Sequence, residues 1–335
     1  MDSNQRAFGA TFRRTLLRAR RLVRSSLPNH DAGLRSVMAF VLNNQAPSGY
    51  PFVLKYAFCR QERDENRILP IAAAVHLLQQ SSFLTDDIFD CGELRCGKPP
   101  VYLKYGVNQA IIAAQLLQAI AFRCVGDELA RGHFHHGAVA LNLLHQILLD
   151  GYVGQYLDIV QSGRPSVTPR EYCRVIALGA GRAMQNVARC GALLAGKPER
   201  EVRALSRFAR AYGMALFIID DITDILPARQ TGKTYASDLK GRRMRLPLIM
   251  ALRLANRGQR ELLRRFLSAN RARRPGIEQV AAVILGCGAC QASQRVARYY
   301  LRSSLSSLSK LEPGITAERF RWLAGRLLKL VEPGA

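Results

Sequence analysis

The sequence predicts an all-helical fold, and three observations carry that expectation. Nearly every long segment repeats its apolar residues at the 3.6-residue period, and hardly any shows sustained alternation. Gly and Pro clusters punctuate the chain between those segments, at Pro47-Ser48-Gly49, Gly97-Lys98-Pro99-Pro100, Ser162-Gly163-Arg164-Pro165 and Gly196-Lys197-Pro198. No repeat of the solenoid kind and no long linker divides the chain. With 335 residues, 48% of them hydrophobic, it can bury a substantial core and is not a disordered chain.

Taken in order, helices are expected over residues 5–25, 31–43, 51–61, 68–90, 106–129, 136–161, 169–195, 199–225, 245–256, 258–269, 276–286, 290–311 and 316–331. Thr168-Pro169-Arg170-Glu171 reads as a capping box with Pro in the first turn. His133, His135 and His136, flanked by Gly132 and Gly137, read as a loop. Residues 1–30 form a basic amphipathic N-terminal segment and 31–335 one helical domain. Between positions 3 and 30 there is no acidic residue before Asp31, while Arg13, Arg14, Arg18, Arg20, Arg21 and Arg24 alternate with Phe12, Leu16, Leu17 and Val23. That composition resembles a transit peptide and equally fits a first helix able to touch an anionic membrane surface; the helix is the favoured reading.

Lys and Arg number 49 against 25 acidic residues, a net +24. Such a charge attracts phosphorylated ligands, anionic membranes and RNA alike. The arginines are dispersed, with no aromatic-interleaved basic run, so no specific nucleic-acid partner is expected. Eight cysteines at irregular spacing suit reduced thiols in a cytoplasmic protein better than a disulfide frame. Cys287 and Cys290 form a lone pair with no second half for zinc. No stretch approaches the ~20 apolar residues of a membrane span; Ala110 to Phe122 is short and interrupted by Gln115 and Gln118.

Two stretches stand out chemically: Asp86-Asp87-Ile88-Phe89-Asp90 and Asp220-Asp221-Ile222-Thr223-Asp224. On a helix, positions i and i+4 are neighbours, so Asp86 sits beside Asp90 and Asp220 beside Asp224. Like charges backed by apolar residues are costly unless a cation joins them. A solvated helix face would explain one such triplet; two of identical spacing point to hard divalent ions. Magnesium in particular is held by a few carboxylates together with substrate phosphates. An EF-hand is excluded, since neither stretch has alternating ligands, a central Gly and a closing Glu.

The first stretch, followed by Arg95 and Cys96-Gly97-Lys98-Pro99, resembles the first Asp-rich region of the trans-isoprenyl diphosphate synthases. Gly154-Gln155-Tyr156-Leu157-Asp158 is similar to that family's Gly-Gln-x-x-Asp. Asp220 to Asp224 resembles its second Asp-rich region, and Gly232-Lys233, Ser237-Asp238-Leu239 and Leu246-Pro247-Leu248 its trailing loop. The likeness runs over about residues 45–250. It implies an antiparallel helical bundle around a deep central cavity, with the Asp clusters facing each other at its mouth. It further implies three Mg²⁺ on Asp86, Asp90 and Asp220, supported by Asp87, Asp221 and Asp224. Arg95 and Lys233 stand at diphosphate-clamping positions, Arg243 where another loop cation is usual, and Gln79 and Gln155 at polar substrate-binding positions. A homodimer is the family's usual state.

The departures from the pattern matter as much. The second diphosphate pocket, for isopentenyl diphosphate, uses two cations upstream and a second Arg after the first Asp cluster. Here Pro47, Tyr50 and Cys96 stand in those places. Charge-assisted hydrogen bonds are worth roughly 1.5–3 kcal/mol each, so losing three costs about 4–9 kcal/mol, at least three decades of affinity. Gly179-Ala180 replaces a usual Lys-Thr, and Phe217 a usual Gln. The sequence therefore leads to the expectation of a class I terpene synthase, which ionises an allylic diphosphate and lets the cation cyclise, lose a proton or capture water. An elongating prenyltransferase whose cations come from elsewhere (Lys55, Arg60 or Arg35) is the alternative, and a non-catalytic partner subunit the lesser one. Ser81 and Ser82, where short-chain members carry bulky aromatics, favour a C20 over a C10 substrate and leave C15 open; Phe83, Phe89, Phe122, Tyr156 and Phe217 are candidate cavity walls.

Overall fold

The computed structural model describes residues 3–27, 31–44, 49–61, 64–226, 235–268 and 274–331. The described residues form helices α1 (Ser3–Ser26), α2 (Ala32–Asn43), α3 (Tyr50–Phe58), α4 (Glu65–Phe89), α5 (Val101–Tyr105), α6 (Val107–Ala130), α7 (Gly137–Gln161) and α8 (Pro169–Ile176). A π-helical turn, Ala177–Gly181, leads into α9 (Arg182–Leu194). There follow α10 (Glu199–Asp224), α11 (Ser237–Lys240), α12 (Leu246–Leu254), α13 (Arg257–Leu267), α14 (Ile277–Gly286), α15 (Ala289–Ser307) and α16 (Ile315–Leu328). The all-helical expectation holds, with most ends within a few residues. Two short helices, α5 and α11, have too few turns to show a period.

The expected continuous helix over 169–195 is interrupted by the π-turn. The cause is close packing of backbones. A Cβ on Gly154 of α7 would sit 3.2 Å from the Gly179 nitrogen, and one on Gly213 of α10 would sit 2.6 Å from the Ala180 oxygen. Single π-turns inside α-helices recur where backbone geometry is bent to a task.

The helices gather into two compact units. The first comprises Met1–Gln146, Asn186–Ser206 and Leu308–Trp322, the second Ile147–Gln185, Arg207–Ser307 and Leu323–Ala335. In the first, α3, α4 and α6 supply the core: Phe52, Tyr56, Ile71, Leu77 and Leu117 are buried completely or nearly so. The basic α1 packs into this unit, burying Ala19 and Val23 and stacking Phe8 on Phe52. Lys55 is buried with it, paired with Glu65 at 2.8 Å and bonded to Thr11. In the second unit Phe208, Ile218, Leu248, Leu263, Ile284 and Leu301 form the core. The capping box at α8 is present, with Thr168 and Glu171 bonded reciprocally.

One expectation needs correcting. Two helices, α4 and α6, are long and apolar enough to cross a membrane by length and composition. For α4 the reason is burial: 67% of its apolar window lies inside the protein, against α1, α3 and α6.

Candidate active site

In the first unit, Asp86, Asp87 and Asp90 close the last turn of α4. Asp90 is the C-cap, its N–H donating to the Asp86 carbonyl at 2.8 Å. A helix C-terminus carries partial negative charge and favours cations, yet the last turn of α4 has three carboxylates' worth of acid and no basic residue. Asp86 and Asp90 are half-exposed. Asp87 is buried and turned to Arg95, which donates to Oδ1 from Nη2 at 2.6 Å and from Nε at 2.9 Å. Burial pushes the Asp87 carboxyl upward, and the Arg95 guanidinium opposes that. Arg95 also lies over the Phe83 ring, 4.9 Å from its centroid.

Arg95 is held in place by its own turn. Arg95 and Lys98 exchange both backbone hydrogen bonds, at 2.8 and 3.1 Å. Cys96 and Gly97 between them have φ of 53° and 74°, the two positive values that a tight hairpin turn demands. Gln79 accepts from the Tyr50 backbone N–H at 3.1 Å. Burial and the nearby Asp86 charge both push the Tyr50 phenol upward, so a neutral ring stands where the resemblance expects a cation. Of the substitutes considered for the lost cations, Lys55 is committed to Glu65. Ser81 is buried and accepts from Gln118 of α6 at 3.2 Å, while Ser82 is exposed.

In the second unit, Asp220, Asp221 and Asp224 close α10, again with no basic residue in the last turn. Asp220 is exposed. Asp221 is buried, accepts from the Tyr172 hydroxyl and lies 3.6 Å from Arg245 Nε; burial raises its carboxyl, with Arg245 opposing. Asp224 accepts from the Ser237 hydroxyl at 2.6 Å and from the Ser237 and Asp238 N–H groups at 3.2 and 3.1 Å. It anchors the trailing loop, and burial together with Asp238 pushes it up to about 6. Arg245 Nη1 meets Asp158 at 2.7 Å and its Nε meets Asp238 at 2.7 Å, with the guanidinium over the Phe217 ring at 5.5 Å. Arg243, expected to face substrate, is buried on Ser162 and Asp158, at 3.2 and 3.4 Å. Gln155 and Phe217 are half-buried. Lys233 and Pro47 lie outside the described residues.

Two of these residues escaped sequence reasoning: Arg245 and Tyr172. The available signal for Arg245 was Asp158 itself, an acid among the apolar residues of α7 that needed a buried partner. Among the described residues, no three His, Cys, Asp or Glu side chains converge on one point as a closed metal cage. The donor set fits a divalent cation all the same. Oxygen-only ligands sit at the negative ends of two helices, and Mg²⁺ uses one or two carboxylates plus phosphate oxygens rather than a protein cage.

Residues 49–284 match the family model described as polyprenyl synthetase. The chain belongs to the polyprenyl synthetase family. It is 29% identical over 256 residues to geranylfarnesyl diphosphate synthase of Aeropyrum pernix, spanning 76% of this chain and 79% of that one. It is 29% identical over 246 residues to geranylgeranyl diphosphate synthase of Mycobacterium tuberculosis, 71% of this chain and 68% of the relative. It shares its fold with the polyprenyl synthase of Caulobacter crescentus, crystallised with calcium and isoprenyl diphosphate, at a TM-score of 0.83. That superposition covers 96% of this chain and 95% of the other, with 21% identity. These relatives of the polyprenyl synthetase are named as chain-building synthases, so the comparisons support the prenyltransferase alternative and lend the terpene-synthase expectation no support.

Proposed function

We propose that this polyprenyl synthetase is a trans-prenyltransferase that joins an allylic diphosphate to isopentenyl diphosphate. The observation that carries this reading is the pair of Asp-rich motifs, each in the last turn of a long helix that offers its carboxylates no basic neighbour. Asp86, Asp90 and Asp220 would hold Mg²⁺, which when bound neutralises charge on the departing diphosphate. Three ions remain the proposed number. Asp87, Asp221 and Asp224 serve as the second layer, fixing Arg95, Arg245 and the trailing loop. Arg95 and Lys233 would bind diphosphate oxygens, and the Phe83 and Phe217 rings would shield the allylic carbon from water. The family relationship and the names of the relatives support chain building; the free state of all eight cysteines supports a reducing, cytoplasmic setting.

A homodimer is proposed on the exposed apolar stripe of α7, Leu149, Tyr152, Val153, Tyr156 and Ile159, which recurs at i, i+3, i+4, i+7 and i+10. Sedimentation of Tyr152→Lys against the native chain tests it; an unchanged mass would overturn it.

A second reading, ionisation without elongation, is favoured by one observation: Tyr50 and Cys96 bring no charge to the isopentenyl side. The deciding experiment incubates the protein with Mg²⁺, farnesyl or geranylgeranyl diphosphate and labelled isopentenyl diphosphate. Label in a longer diphosphate supports chain building. Unlabelled hydrocarbon or alcohol as sole product would replace it with the terpene-synthase reading.

A further inference from the structure

The second unit carries a strongly basic cleft that the Asp-rich chemistry does not use. Arg170 and Arg174 lie one turn apart on α8, Arg207 and Arg210 one turn apart on α10, and all four line a single cavity of about 760 Å³. Tyr299 and Tyr300 of α15 line it as well, and Met214 contributes apolar surface. All four arginines are exposed. Arg210 reaches Gln185 at 3.5 Å, and among the described residues Arg170, Arg174 and Arg207 make no ion pair. The one carboxylate in the wall, Glu171, accepts from the Thr168 hydroxyl and N–H in the α8 cap and also feels the Arg174 charge, leaving one negative group against four positive ones.

This contrasts with the buried charge of the same unit. Arg243 and Arg245 are matched by Asp158, Asp221 and Asp238. In the cleft four exposed guanidinium groups share one concavity with a single carboxylate, Glu171, and a bound anion would offset the repulsion that water and salt only screen. Guanidinium forks bind phosphate oxygens in pairs. The volume falls within the range of small-molecule sites, and one diphosphate would leave room for an organic group. Burial pushes the Tyr300 phenol up to about 12, which keeps it a neutral donor. Arg210 precedes Asp220 by ten residues on the same helix, about 15 Å at the helical rise, so the cleft is distinct from the second Asp-rich motif.

We propose that this cleft is a second binding site for a diphosphate-bearing small molecule, with Arg170, Arg174, Arg207 and Arg210 on the phosphates and Met214 and Tyr299 against the organic part. The inference stands apart from the proposed reaction, because it uses none of the Asp-rich residues.

The test is calorimetric titration of the full chain in chelator without divalent ions, conditions in which carboxylate clusters do not hold a diphosphate. The probes are inorganic pyrophosphate, adenosine diphosphate and geranylgeranyl diphosphate. One saturable site is expected in the native chain and in Asp86→Asn/Asp220→Asn. In Arg174→Gln/Arg207→Gln the affinity should fall at least about ten-fold. Arg13→Gln/Arg21→Gln, which removes two exposed charges from α1, should leave it unchanged. The tightest probe identifies the source: free pyrophosphate, a nucleotide or a prenyl chain. Absence of saturable binding overturns the proposal. So does an equal loss in the α1 pair, which would mark general attraction to a basic surface. Should the double cleft variant melt early, Arg207→Gln alone is read the same way.

Discussion

The Tyr50 backbone N–H donates to Gln79 Oε1 at 3.1 Å. This contact ties the start of α3 to the middle of α4. It also places a phenol beside the Asp86 charge, at a position where the family resemblance leads one to expect a cation. Tyr50→Arg/Cys96→Arg should therefore lower KM for isopentenyl diphosphate by about a hundred- to ten-thousand-fold, at roughly 1.5–3 kcal/mol for each of two charge-assisted bonds. Cys96 already has φ of 53°, so Arg there adds no backbone strain. Steady-state rates at saturating allylic substrate check this; an unmoved KM would place the isopentenyl seat elsewhere.

Asp86→Asn and Asp220→Asn should each cost about three decades in kcat/KM, since charge neutralisation at a leaving diphosphate is worth several kcal/mol. Their stability should move the other way. Each removes a negative charge from the unfavourable end of a helix, a gain of about 0.3–1 kcal/mol. Melting temperature without metal should rise slightly, and the further rise from adding Mg²⁺ with pyrophosphate should disappear. A variant that melts early and is inactive would instead point to misfolding.

Gly191 on α9 leaves no space for a side chain. A Cβ there would lie 2.3 Å from the Leu54 carbonyl oxygen of α3. Gly191→Ala should therefore destabilise the first unit by about 1–3 kcal/mol through forced separation of two backbones. Denaturant titration would show it as a lower midpoint. A neutral result would mean that α3 shifts without cost.

His76 is fully buried in α4, and burial lowers its imidazole to about 4. The unfolded chain titrates near 6.5, so between those values it binds more protons than the folded one. Stability from a neutral His76 is complete above pH 6.5 and falls as pH drops toward 4, by up to about 3 kcal/mol. Unfolding free energies at pH 7.5, 6, 5 and 4 for the native chain and His76→Gln should converge as pH falls. Parallel curves would show that folding leaves the His76 imidazole titrating as it does in the unfolded chain.

Much of the fold was legible because helix periodicity and turn punctuation act over a few residues. The Thr168 cap, the loop at His133 to His136 and both Asp-rich helix ends are local patterns of that kind. The break at Ala177–Gly181 was not, because it answers to Gly154 and Gly213 on other helices. Arg243 was assigned to substrate and proved to be a partner of Asp158, while Arg245, two residues on, was missed. Both are arginines in the same loop, and nothing local says which one turns inward.

By itself the sequence determined the helical architecture and the two acidic motifs, since spacing along one helix decides which side chains are neighbours. It also carried the family resemblance, because ordered motifs survive in the linear text. Only the tertiary structure decided which of the six aspartates face solvent and which are buried against partners. Asp87 is fixed by Arg95, but Asp221 meets Tyr172 from 49 residues away and Asp158 meets Arg245 from 87. Long-range partners are chosen by packing, where burial makes an unmatched charge costly, and that cost is not written in any short stretch of chain.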